Sequence, residues 1–189
     1  MNLETVALAA YAAANIDPED PPGPHTHAEL AGVAIRYDAG LCIGAAAYDS
    51  VRDIIWVRPG LAPHVEGLRI YHELAERELR GRVLPDHDDV CDQLAFRLRM
   101  PLPAYRWLAA QEGPSWTRLA RPWRASHVAA ALRWGETTEV PTAVLTPEGT
   151  RYRGAPHRWP ADLRRLAERG HVPGARVDTV RGGLVVLAT

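Results

Sequence analysis

Proline decides where this chain can hold regular structure. Pro18, Pro21, Pro22 and Pro24 crowd into residues 17–24. Proline has no amide proton and its ring blocks the preceding helical turn, so no helix can cross this stretch. Residues 3–14 are Ala-rich and predict a helix before it. Thr26 and Glu29 have capping-box spacing and predict a second helix ending near Ala31. Pro59-Gly60, Gly81, Pro85-Asp86, Pro101 and Pro103 cut the next part into short elements. The pattern predicts strands over 33–37, 41–48 and 53–57, with Asp49-Ser50 as a turn. It predicts helices over 63–80 and from Asp88 or Asp89 to about Met100. Shorter helical pieces follow over 105–111 and 116–119. Ser126 caps another through Trp134, with Gly135 as its stop. Strands are then expected over 140–145, 176–180 and 184–187, and Pro160 opens a short helix ending at Gly170.

Hydrophobic residues make up 47% of the 189 positions and charged residues 24%, the composition of an ordinary globular protein. The length suits one compact domain, or one with a small appendage. The formal net charge of −1 argues against a polyanion-coating protein and leaves room for a local basic patch. All 22 basic residues are Arg, which forks well onto carboxylates. Cys42 and Cys91 sit among apolar neighbours and predict buried, reduced thiols rather than a disulfide framework. The apolar run at Val6–Ala10 follows Glu4 and is short for a signal peptide, and no apolar stretch is long enough to span a bilayer. The expected location is cytoplasmic.

The stretch Ile70-Tyr71-His72-Glu73-Leu74-Ala75-Glu76-Arg77 carries the chemistry. On a helix His72 and Glu76 share a face and can hold one metal ion, while Glu73 lies beside them and can reach a water on it. This is the arrangement of a His-Glu-x-x-His zincin helix with Glu in the second ligand position. The third ligand is expected from the acidic cluster Asp88, Asp89 and Asp92. The bland alternative is a solvated face, with Glu73–Arg77 and Glu76–Arg80 as i,i+4 ion pairs contributing ~0.2–0.5 kcal/mol each.

From Ala31 to Pro101 the chain resembles the ImmA/IrrE-type zinc metallopeptidases. After the zincin helix the resemblance continues in Asp88-Asp89-Val90-Cys91-Asp92-Gln93-Leu94-Ala95 and Met100-Pro101. It implies an α+β fold, with a small N-terminal β-sheet packed on a helical zincin-like core and a C-terminal β-rich extension. The corresponding division is 1–24 as helix and Pro-rich linker, 25–135 as the metallopeptidase-like domain and 136–189 as the extension. It places the general base on Glu73 and the metal ligands on His72, Glu76 and Asp88. The function it implies is a metal-dependent endopeptidase acting on a repressor-like, helix-turn-helix regulatory protein. The alternative is an inactive module of that type binding a regulatory protein or DNA. The resemblance implies Zn2+, but two carboxylates against one imidazole tilt the site toward Mn2+ or another harder ion. They also make bound water less acidic.

Other candidates have simpler readings. His25-Thr26-His27 is explained by helix capping, His87 by a turn, and Phe96, Leu94, Leu98 and Met100 by core packing. The strand over 54–57 is placed to pair with an extended substrate. Arg118, Arg121, Arg124 and Arg133 surround Pro122-Trp123 in a segment resembling a helix-turn-helix, for which packing is favoured over DNA contact. The near-neutral whole-chain charge argues against DNA binding.

Overall fold

A computed structural model describes residues 1–41 and 44–189. They form a mixed α+β fold with two small sheets. By contact the chain divides into two compact units, Met1–Ala104 and Tyr105–Thr189.

In the first unit, α1 (Leu3–Ala13) is capped by Asn2, whose side-chain oxygen accepts from the Glu4 amide at 3.0 Å. Its buried face is Ala7, Ala10 and Tyr11, and the Tyr11 hydroxyl donates to the Leu98 carbonyl at 2.6 Å. Helix α2 (Pro24–Leu30) starts earlier than the Thr26–Glu29 spacing suggests. Gly23 precedes it without a side-chain cap and Pro24 presets the first helical φ. His27 is therefore no capping group. It is only 2% exposed and meets the Tyr11 and Tyr71 rings edge-on at 4.8 and 5.5 Å. Burial pushes its pKa down to about 4.

Strands β1 (Ala34–Tyr37), β2 (Ala46–Asp49) and β3 (Ile54–Val57) form a sheet in the order β1-β3-β2. β1 runs parallel to β3 and β2 antiparallel to it. The strand expected over 41–48 is thus confined to its end, and Cys42 and Ile43 lie outside the described residues. β3 holds the residues with the strongest strand propensity, and Ile55 and Val57 are fully buried. Both its edges are paired, so the expected addition of a substrate strand at 54–57 has no free edge to use.

Helices α3 (Pro63–Leu79) and α4 (His87–Arg99) pack on each other. α3 contributes Ile70, Leu74, Ala75 and Leu79, and α4 contributes Cys91, Leu94, Ala95 and Leu98, to one core with Ala7, Tyr11, Ile55 and Val57. The i, i+3, i+4 spacing puts each set on one helical face. α4 opens at His87 after Asp86, which has a left-handed φ of 50° and makes no side-chain cap; neither Asp88 nor Asp89 caps the helix.

Helix α5 (Leu102–Glu112) begins in the last residues of the first unit and leads into the second. There α6 (Trp116–Ala120) and α7 (His127–Thr138) precede the antiparallel strands β4 (Thr142–Thr146), β5 (Gly149–Arg153), β6 (Ala175–Val180) and β7 (Gly183–Ala188). The sheet order is β5-β4-β7-β6, and α8 (Leu163–Glu168) lies between β5 and β6 in sequence. Thr142 to Leu145 are all buried because β4 is covered on both faces. Ala143 and Leu145 pack with Leu163, Ala167, Val172 and Val186. Thr142 points the other way, toward α7.

Helix α7 does not stop at Gly135. A Cβ there would stand 2.7 Å from Arg153 Cβ and 3.0 Å from Thr142 Cβ, so glycine lets the helix lie directly on β4 and β5. Beside it, Glu136 bridges the buried Arg133 and the half-buried Arg153, each at 3.0 Å. β5 was not anticipated, because Arg151 and Arg153 mask its strand alternation. Residues 130–135 are all buried, so α7 has no open face there for a DNA groove, while Arg118, Arg121 and Arg124 before it are exposed.

Glycine-to-alanine exchange inside a helix ordinarily stabilises by ~0.5–1 kcal/mol. Gly135→Ala is expected to do the reverse, lowering unfolding free energy by about 1–3 kcal/mol through overpacking, as read from denaturant midpoints.

Candidate functional site

The α3 face carrying His72, Glu73 and Glu76 turns toward α4 and the edge of β2. Glu73 is 5% exposed. Its carboxyl accepts the Tyr48 backbone amide of β2, and the Glu76 carboxyl is its neighbour one turn along. β2 is an edge strand, so this bond satisfies a donor that no strand partner takes. Burial, and then the Glu76 charge, push the Glu73 pKa up to about 7, partly offset by His72 and the Tyr48 amide.

His72 Nδ1 lies 2.7 Å from Asp92 Oδ1. The acidic residue that engages His72 is thus Asp92, one helical turn beyond the expected Asp88, while Asp88 and Asp89 are exposed. The arginines expected to pair with Glu73 and Glu76 have other partners. Arg77 donates from Nε to Asp53 at 3.3 Å and from Nη1 to Glu78 at 3.0 Å. Arg80 donates to the Ser50 carbonyl at 2.8 Å. The Tyr48 hydroxyl also donates to Asp53. Tyr48 and Asp53 were missed in the sequence; they flank the Asp49-Ser50 turn, whose closure brings them together. Cys91 is buried, and burial followed by the surrounding carboxylates pushes its thiol up to about 11, leaving it a packing group.

Among the described residues, no group of three or more His, Cys, Asp and Glu is placed to hold a metal ion. His72 faces Asp92, and Glu73 is buried against β2. As arranged, His72, Glu76 and Asp88 are not gathered around one point. No step through a metal follows from this geometry. No helix among the described residues is long and apolar enough to cross a membrane.

No family model matches the chain, and no curated protein does. Among solved structures, a Mycobacterium tuberculosis transcriptional regulator matches with a TM-score of 0.62 and 14% identity, over 98% of this chain and 74% of that one. The likeness establishes a shared fold. It overturns the expected function: the fold is found in a transcriptional regulator, and nothing in the comparisons speaks for an endopeptidase or for an inactive module derived from one.

The Glu73 pKa gives a signed pH effect. The folded chain keeps a proton that the unfolded chain releases between the ordinary 4.5 and about 7, so stability falls as pH rises through that interval. Glu73→Gln keeps an oxygen for the Tyr48 amide and removes the titration. Thermal and denaturant unfolding should show the variant losing this slope and exceeding the parent above pH 7 by roughly 1–3 kcal/mol.

Proposed function

We propose that this chain acts in the control of transcription, by binding rather than by breaking bonds. The observation that carries the reading is the breadth of the fold match, which takes in 98% of the chain and so spans both units. The α3–α4 site supports it chemically. Its imidazole faces the Asp92 carboxylate and its buried Glu73 carboxyl takes the Tyr48 amide, so the site ties α3 to α4 and to β2.

Transcript profiling of a deletion strain tests the reading. A discrete set of transcripts should change, and both the parent gene and its Glu73→Gln form should restore them. Unchanged transcripts would overturn the proposal. Rescue by the parent but not by a folded Glu73→Gln protein would show that the carboxylate performs chemistry.

A further inference from the structure

The whole-chain charge of −1 conceals a division. The unit Met1–Ala104 holds nine Arg against sixteen Asp and Glu, a formal −7; the unit Tyr105–Thr189 holds thirteen against seven, a formal +6. The expectation against DNA binding used the sum and missed the parts. Charge per unit, not per chain, sets the local field a polyanion meets.

Within the second unit, part of the excess gathers on one side of the sheet. Tyr152 on the edge strand β5 pairs across to Ala143, so the two side chains share a face. That face is covered by Leu163 and Ala167 of α8, with Trp159 packed beside them. His157 stands edge-on to Trp159 at 4.5 Å. Arg164 donates to the carbonyls of Thr146 and Gly149 at 2.8 and 3.1 Å, which ties α8 to the β4–β5 turn. Arg158, Arg165 and Arg169 are exposed around this framework, as are His157 and, at 52%, Tyr152. Arg165 pairs with Asp162 at 2.5 Å, and that pair is open to solvent.

We propose that this face, formed by β5, the segment 154–160 and α8, binds the phosphate backbone of duplex DNA. Arginine supplies permanent charge in a fork that fits phosphate, and tyrosine hydroxyl and imidazole N–H groups donate to phosphate oxygens. Such contacts position a protein on DNA without reading its sequence, so a target site is not needed to detect them. The inference rests on the transcriptional reading for its choice of polyanion and adds the surface through which that role is exercised.

The test is equilibrium binding of the full chain to a short mixed-sequence DNA duplex across a salt series. Affinity should fall steeply and linearly on logarithmic axes. The triple variant Arg158→Gln, Arg165→Gln, Arg169→Gln should bind at least about tenfold more weakly near physiological salt and lose roughly two to three units of slope, near one per phosphate contact. Arg36→Gln, Arg52→Gln, Arg58→Gln makes the same charge change in the acidic unit and should leave the slope unchanged. No duplex binding at low salt, or a triple variant with the parent slope, would overturn the proposal. So would salt-sensitive self-association without DNA binding, the result if the basic face instead meets the acidic unit of a second copy. Failure here with altered transcripts in the deletion strain would leave the regulatory reading standing. Duplex binding with unaltered transcripts would remove that reading and keep the phosphate surface.

Discussion

A carboxyl group buried beside the edge of a sheet must find a donor, a proton or both. Glu73 finds both: the Tyr48 amide as donor, and a proton that burial holds on its carboxyl up to about pH 7. The cost of burying a charged carboxylate is lowered by keeping it protonated, and the otherwise unpaired amide of an edge strand is satisfied. The placement of α3 follows, because its helix must lie where one side chain reaches β2 while Ile70, Leu74 and Ala75 reach the core. His72 then faces α4, where Asp92 receives it. The same sequence that resembles a metal-activating helix thus closes on itself as a structural network.

The second unit depends on a different constraint, the close approach of a helix to a sheet. Gly135 removes the one side chain that would hold α7 away from β4 and β5. Arg133, Glu136 and Arg153 then form a bridged set of charges at that junction. An ion pair with one fully buried member is poorly served by losing a partner, so this junction is rigid in composition as well as in shape. It also commits Arg133 to the interior, whereas the arginines around α8 remain at the surface.

Much of the fold was legible in the sequence, because proline, glycine and capping residues act locally. The linker over 17–24, the Ser126 cap and the run Ile54–Val57 all obey short-range chemistry. The departures share a cause. Gly135 looks like a helix stop, but tertiary packing uses it as a contact. Thr26 and Glu29 have capping spacing, but Pro24 starts the helix first. β5 is an edge strand whose alternate arginines, Arg151 and Arg153, hide its period. At the site, residue types and spacing set His72, Glu73 and Glu76 together on one helix, as α3 has them. They could not tell how deeply β2 buries Glu73 or which turn of α4 faces His72. The division of charge was present in the sequence all along, and became visible only once the unit boundary at Ala104 was known.

The central claim is that burial of Glu73 beside β2 holds its carboxyl protonated up to about pH 7. Carbon-detected NMR of the Glu73 carboxyl, titrated with pH, tests it directly. The account predicts a midpoint near pH 7. A midpoint in the ordinary carboxylate range would contradict it.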